Sequence, residues 1–372
     1  MLMHHSPEEY GAAAARAADW ATNKLEKIIQ SGREQAIKTI QEVRDNQPKD
    51  HVVGHAALDF KTDGKSLNVM FPGVAAPQSF HPHALVQLAE RIDMPNAKKT
   101  TEWLSDPEII EDFADIITKK YRKQEGKKYL VRSVNQQVRG FLSDRFRRLD
   151  SAPIVESFIQ TITDLGALPI KGRALDTKFY LKVVLPHILE PLPGEVMLFG
   201  AQLKNSDYGD GKLDVSGFIH RLRCTNLLMT EDGFSKVHLG RRLDENIEFS
   251  QETYELDTKT MASAVRDVVR NVLAPEYVKD KVAYIKAIAE EKVDADAVIE
   301  GLRKKSKINK DEAGQLKELF SSAEVELLPP GQNQWRLSNA ISLLAQRVEP
   351  ERELELEALA GDVAGLQTAR AA

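Results

Sequence analysis

The chain has 372 residues, of which 42% are hydrophobic and 29% are charged, and its formal net charge is −5 at pH 7. This composition is ordinary for a globular protein and excludes a disordered or fibrous chain, while the slight acidity excludes a protein coated in positive charge. The sequence has no run of eighteen apolar residues and no secretory leader, so we expect a cytoplasmic protein that does not enter a membrane. The single cysteine, Cys224, excludes an internal disulfide and a multi-cysteine zinc site.

The charges are unevenly distributed along the chain. Between residues 119 and 182, fifteen Lys and Arg stand against six Asp and Glu. Between residues 243 and 300 the balance is reversed, with seven basic and fourteen acidic residues. This asymmetry indicates a middle segment that binds polyanions and an acidic flank that either is solvated or masks that segment.

The N-terminal part is predicted to begin with a long helix. Its start is marked by Ser6-Pro-Glu-Glu9, with Ser as the N-cap and Pro at the first helical position, and it ends before Pro48. This Ala-rich helix can pack on a neighbouring subunit or on its own domain. Alternating apolar residues then predict a hairpin over 51–71 that turns at 61–64, followed by helices over 81–92 and 106–120.

The middle of the chain is predicted to be rich in hairpins. Their strands lie at 129–134 and 138–142, within 168–185, and at 195–204 and 212–224, with a helix over 153–165. Two further strands, 227–229 and 234–239, are predicted to turn at Thr230-Glu-Asp-Gly233. After residue 244 the pattern is helical only, with helices predicted near 261–273 and over 276–291, 294–304, 309–321, 333–347 and 351–366.

These elements predict an α+β fold, in which a mainly antiparallel, hairpin-built sheet packs with helices and an all-helical C-terminal region follows. The predicted domains are an N-terminal helical segment (1–48), an α+β core (49–245) and a helical C-terminal region (246–372). The core contains the basic segment and is therefore the candidate binding domain.

No motif in the sequence demands an enzyme. Phosphate-binding loops and the Gly-x-Ser-x-Gly elbow are absent, and Cys224 has no evident catalytic partner. His51 and His55 lie on a predicted strand, where residues four apart are too separated to share a metal, and the aspartates within 207–214 lack the spacing of a calcium loop. We therefore expect no catalytic residue, no metal and no cofactor. A DNA-processing enzyme with dispersed metal ligands is an open alternative.

Cations in the basic middle coincide with predicted strands and alternate with aromatic residues. Arg and Lys neutralise a phosphate backbone, and aromatic rings stack on unpaired bases. If Lys178, Tyr180 and Lys182 project from one sheet face and Arg221 and Arg223 from a neighbouring strand, they line a groove of one sign. The candidate nucleic-acid-binding residues are Arg139, Arg145, Phe146, Arg147, Arg148, Lys171, Arg173, Lys178, Tyr180, Lys182, Arg221 and Arg223, with Phe146 and Tyr180 as stacking platforms.

The alternative is a solvated strand face whose aromatic residues point into the core. Alternation places Phe179 in the core, and Asn205 and Asp207 are expected to shape a turn rather than to contact DNA. The residues alone favour neither interpretation over the other.

Several segments in this part of the chain resemble a known family. They are Arg139-Gly-Phe-Leu-Ser-Asp-Arg-Phe-Arg-Arg148, the stretch from Gly194 through Asn205-Ser-Asp-Tyr-Gly-Asp-Gly-Lys-Leu213, Arg221-Leu-Arg-Cys-Thr-Asn226, and Asn333-Gln-Trp-Arg-Leu-Ser-Asn-Ala340. In this order they resemble an uncharacterised family of phages and plasmids, domain of unknown function 932, over residues 130–345. Leu227 departs from that pattern, in which a glycine is expected after the asparagine.

The resemblance implies a function only through a second likeness. The arrangement of hairpins and helices is similar to that of single-strand annealing proteins, which form rings or filaments and hold single-stranded DNA in a basic groove. It implies an oligomeric, ATP-independent annealing protein of a phage or mobile element, acting in the host cytoplasm with a phage nuclease or replication protein as a possible partner. The alternative is a structural or regulatory oligomer whose basic segment meets an acidic protein or its own acidic C-terminal region.

Overall fold

In the computed structural model, the described residues are 7–94, 102–103, 106–193, 195–222, 226–236, 250–321, 328–329 and 331–366. They form the predicted α+β fold, with about 50% helix, 22% strand, antiparallel sheets and helices in the C-terminal region. The described helices are α1 (Pro7–Asp45), α2 (Pro82–Arg91), α3 (Ile110–Arg122), α4 (Ser151–Asp164), α5 (Gln251–Val272), α6 (Pro275–Glu290), α7 (Ala295–Lys304), α8 (Lys310–Ser321), α9 (Gln334–Ala345) and α10 (Pro350–Val363).

Eleven strands in the described residues form two sheets. They are β1 (Lys49–Gly54), β2 (Asp59–Thr62), β3 (Leu67–Met70), β4 (Gln78–Phe80), β5 (Lys128–Val134), β6 (Gln137–Ser143), β7 (Leu168–Ala174), β8 (Phe179–Val184), β9 (Met197–Asn205), β10 (Leu213–Arg221) and β11 (Asn226–Lys236). The first sheet has six strands in the order β1-β5-β6-β4-β3-β2, and the second has five in the order β11-β10-β9-β8-β7.

The six-stranded sheet is antiparallel except where β4 runs parallel to β6. Its β5–β6 hairpin turns at Asn135 and Gln136, between the two predicted strands, and both residues have positive φ, 50° and 63°, which is the conformation that a two-residue hairpin turn requires. Phe60, Tyr121 and Phe141 build an aromatic core between this sheet and α2 and α3. The sheet and its helices form one layer pair, which is tied to the β9–β10 turn by hydrogen bonds from Gln87 and Arg132 to backbone carbonyls.

The hairpin predicted over 51–71 is wrong in its first half. A 3-10 turn at His55–Ala57 ends β1, and β1 pairs with β5 instead of with β2. The turn is held at the end of α3, because the His55 backbone N–H donates to Lys127 O at 2.9 Å and its Nδ1 lies 3.1 Å from Tyr121 O. These contacts lie far away in sequence, so the local alternation could not reveal them.

The predicted strand break near Thr230 is also wrong, because β11 is continuous. Met229 pairs with Phe218 and Gly233 pairs with Ser216, so four steps along β11 lie opposite two steps along β10. The polar residues between them are accommodated as a bulge, which the turn-like composition of this stretch concealed.

Helix α1 packs on its own chain, along β7 of the five-stranded sheet. The two elements approach so closely that a Cβ on Gly32 would lie 2.3 Å from the backbone of Ile170, and one on Gly172 would lie 2.9 Å from Ala36 Cα. Glycine at both positions is therefore required by the packing.

The five-stranded sheet is antiparallel throughout, and one of its faces is apolar. On that face Leu181 and Leu203 pack against Phe158 of α4 and Val265 of α5. The C-terminal helices form a further core around the fully buried Trp335, which reaches Ile219 at the far end of the same face. No helix in the described ranges is long and apolar enough to span a membrane.

Candidate nucleic-acid interface

Cations from three neighbouring strands share the other face of the five-stranded sheet. Lys171 of β7 lies opposite Lys182 of β8, while Arg173 lies opposite Tyr180, which in turn lies opposite Lys204 of β9. Because directly opposed residues point to the same side, these side chains form one surface. We call Lys171, Arg173, Lys178, Lys182 and Lys204 the cationic patch. Four of these five residues were predicted, and Lys204 was not.

Helix α10 covers much of the cationic patch with carboxylates. Glu353 pairs with Lys171, and Glu357 pairs with Lys182. Where the patch reaches the β7–β8 turn, Lys178 Nζ lies 2.9 Å from Glu351 Oε1. The patch is therefore closed by α10 in this conformation, except at Arg173, which is exposed, and at Lys204, which is half-buried. Helix α1 packs on the same face, where Leu25 joins the apolar cluster of Val184, Leu198 and Phe218.

The deepest of these pairs, Lys182–Glu357, is fully buried. Burial lowers the pKa of Lys182 and raises the pKa of Glu357, because both charged forms lose their hydration, and the attraction between the two charges opposes both shifts. Such a pair contributes little net stability, since the Coulomb attraction mainly offsets the cost of desolvation.

Other buried polar groups on this face have no hydrogen-bond partner among the described residues. They are the Tyr180 hydroxyl, Gln202 Oε1 and both ring nitrogens of His220. Burial lowers the pKa of His220 to about 3, with further lowering from Lys24, Lys182 and Lys171, so the ring is neutral. We call the surface formed by Lys171, Tyr180, Lys182, Gln202 and His220 the polar face.

The prediction that Arg221 joins Lys182 in one groove is wrong. Strand β9 separates β8 from β10, and the register places Ser216 and not Arg221 on the side of Lys182. Arg221 lies on the opposite face, fully buried, where its guanidinium donates to both carboxylate oxygens of Glu195, from Nη2 at 2.5 Å. Arg223 lies outside the described residues.

Two of the predicted arginines of 145–148 pair with residues outside the cationic patch. Arg147 forms a bidentate pair with Asp257 of α5, at 2.6 and 2.5 Å. Arg148 is buried, with its Nε 3.3 Å from Asp50 Oδ2 and its guanidinium over the ring of Tyr254.

The two residues before them differ in exposure, since Arg145 is exposed and Phe146 is half-buried. Arg147 and Arg148 are thus held by structural ion pairs with residues outside the patch.

Arg139 does approach the patch, across a cavity of about 210 Å³. Its Nη1 donates to Asp176 O at 3.0 Å, and both Arg139 and Lys178 line the cavity. Carboxylates of Glu42, Asp176 and Asp207 also line it, so its charge is mixed rather than basic.

Asn205 and Asp207 shape the β9–β10 turn, and their hydrogen bonds are internal. Asp207 Oδ1 accepts from the backbone N–H and the hydroxyl of Ser151 at the start of α4, at 2.9 and 2.8 Å, and Asn205 Nδ2 donates to Leu149 O at 2.8 Å. Burial of its carboxyl raises the pKa of Asp207 to about 6, with Arg132 opposing and Asp150 adding to the shift. These side chains fix the turn to α4.

Several residues at the interface were not predicted from sequence. They are the α10 glutamates, Lys204, Gln202 and His220. The run Glu351-Arg-Glu-Leu-Glu-Leu-Glu357 could have indicated the first group, because its acidic residues repeat at every second position. The predicted acidic flank, 243–300, supplies Asp257 to Arg147, whereas the carboxylates on the patch lie further along the chain.

Comparison with known proteins yields no match, neither to a family model nor to a curated protein nor to a solved structure. The resemblance noted in the sequence therefore stays a prediction. Among the residues that the structure describes, no group of three or more His, Cys, Asp or Glu is placed to hold a metal ion.

Proposed function

We propose that the protein binds single-stranded DNA and promotes the annealing of complementary strands without ATP, as a homo-oligomer of a phage or mobile element. The observation that supports this proposal is the cationic patch, in which Lys171, Arg173, Lys182 and Lys204 project from one face of three consecutive strands. A row of cations attracts a row of anions, and carboxylates of α10 already pair with this one.

An annealing protein needs only to bind and present its strand. Base pairing supplies the free energy of annealing, so the protein has only to bind the sugar-phosphate backbone and leave the bases exposed. Lysine is suited to this task, because its ammonium group is a flexible point charge that neutralises phosphate without reading sequence. A phage nuclease or replication protein is the partner expected for the annealing reaction.

Two lysines of the patch that pair with α10 provide the test. Lys171 and Lys178 are each partly exposed, so the double variant K171Q/K178Q removes two phosphate contacts without leaving a deeply buried carboxylate unpaired. We expect weaker binding of a fluorescent oligothymidylate, and a salt dependence of log K that is shallower by roughly 1.4, since each phosphate contact contributes about 0.7 on a single strand.

The control for charge is K317Q, on α8, where Lys317 pairs with Asp296 and lies outside the patch. Annealing of complementary dye- and quencher-labelled strands, without ATP, is measured on the same proteins. If K171Q/K178Q matches the wild type in affinity at low and high salt, the patch is not the strand-binding surface.

A second candidate is a regulatory oligomer whose patch binds an acidic helix of another protein, and the docking of α10 itself favours it. A synthetic peptide with the α10 sequence distinguishes the two functions. Under the DNA-binding proposal, oligothymidylate competes for the patch better than charge-matched heparin and the peptide does. Under the second candidate, the peptide binds and oligothymidylate is no better than heparin.

A further inference from the structure

The polar face buries several polar atoms whose hydrogen-bonding capacity is not used. Tyr180, Gln202 and His220 each bury a polar atom that lacks a hydrogen-bond partner in the described part of the chain. A buried polar group without a partner is destabilising, and each of the three lies on the side of the sheet that carries the cations. The closed arrangement therefore leaves hydrogen-bonding groups of this face unused.

We propose that the polar face is itself the strand-binding site and that α10 is its built-in competitor, whose Glu351, Glu353 and Glu357 occupy the positions of backbone phosphates. This proposal rests on the DNA-binding function above. In the open state, the lysines bind phosphates, and the groups unpaired in the closed state, Gln202 and His220, hydrogen-bond the exposed edges of bases.

The contacts of α10 divide it into two parts. Its N-terminal part carries Glu351, which is largely exposed, and Glu353, and it is held to the sheet by ion pairs with side chains that are themselves partly exposed. Its C-terminal part is anchored by buried Leu359 and Ala360. Because partly exposed ion pairs are weak, the N-terminal part is the one that a polyanion displaces first.

The C-terminal part of α10 makes a close backbone contact with β11. A Cβ on Gly361 would lie 1.8 Å from Met229 O of β11, so no larger residue fits there while α10 is docked. Glycine at this helical position costs helix stability relative to alanine, and the contact with the sheet explains its presence. The docked state thus depends on a specific surface of α10.

The decisive comparison uses two sets of glutamates on this one helix. The variant E351Q/E353Q removes two of the three carboxylates that face the patch, whereas E355Q removes one that faces Arg352 and leaves the patch pairs intact. We expect E351Q/E353Q to bind oligothymidylate about tenfold more tightly than the wild type, and E355Q to bind like the wild type. Equal affinity of E351Q/E353Q, E355Q and the wild type overturns the competitor role.

Hydrogen exchange of the wild-type protein gives a measurement that needs no variant. Addition of oligothymidylate should accelerate exchange of backbone amides in 350–357 and slow it in β7 and β8. Unchanged exchange in 350–357 while DNA is bound overturns the competitor role and leaves DNA binding standing. Failure of every one of these proteins to bind oligothymidylate better than K171Q/K178Q instead overturns the proposed function itself.

Discussion

The two faces of the five-stranded sheet each bury an ion pair, but they surround it differently. On the apolar face, Glu195 accepts two hydrogen bonds from Arg221 and lies 3.4 Å from the indole N–H of Trp335. On the polar face, Lys182 and Glu357 pair beside Tyr180, whose buried hydroxyl has no acceptor or donor in the described residues.

This difference separates a structural ion pair from a binding surface. A buried pair whose oxygens are all engaged fixes one arrangement of strands and helices, and nothing is gained by opening it. A pair that is buried next to unengaged polar groups has alternatives, because a ligand can offer those groups the partners that the protein does not. We therefore assign a structural role to the Arg221 side of the sheet and a ligand-binding role to the Lys182 side.

The largest expected effect comes from breaking the pair on the apolar face. R221M leaves the Glu195 carboxylate buried without its counter-charge, and the expected loss in the free energy of unfolding is about 3–5 kcal/mol in chemical denaturation. The double variant R221M/E195Q should recover more than half of that loss, because Gln removes the charge and keeps an acceptor for Trp335. A single variant as stable as the wild type would contradict the structural role of this pair.

A smaller effect, visible only at low pH, is expected on the polar face. The pKa of His220 is about 3 in the folded protein, against 6.5 for an ordinary histidine, so the unfolded chain binds a proton that the folded chain does not. The free energy of unfolding therefore suffers no penalty from His220 above pH 6.5. It falls as the pH drops toward 3, and the loss is about 3 kcal/mol at pH 4. H220L removes this loss.

The measurement is chemical denaturation of H220L and wild type at pH 7 and pH 4. At pH 7 we expect H220L to be at least as stable as the wild type, because the ring makes no hydrogen bond to the described residues that leucine would lose. Identical slopes of stability against pH for the two proteins would show that His220 is not held neutral. Under the competitor proposal H220L also weakens oligothymidylate binding.

Neighbouring residues on β8 show what can be predicted from the sequence and what cannot. Local alternation correctly placed Phe179 in the core and Tyr180 with Lys182 on the other side. It could not place Arg221, because strand order and register are decided by pairing between distant segments, and the observed register puts Ser216 and not Arg221 on the side of Lys182. The docking of α10 lies further beyond local pattern, since Glu357 and Lys182 are 175 residues apart.

The smallest expected effect isolates one hydroxyl group on the polar face, with a matched residue elsewhere as its control. Tyr180 and Tyr121 are both fully buried, but the Tyr121 hydroxyl donates to Leu88 O at 2.8 Å, whereas that of Tyr180 is unsatisfied among the described residues. Y121F should therefore lose about 1 kcal/mol in the free energy of unfolding, and Y180F should lose nothing or gain slightly. Because both changes remove one oxygen from a buried ring, the difference between them measures hydrogen bonding alone. Equal losses would mean that the Tyr180 hydroxyl is satisfied in solution, and the polar face would then resemble the apolar one.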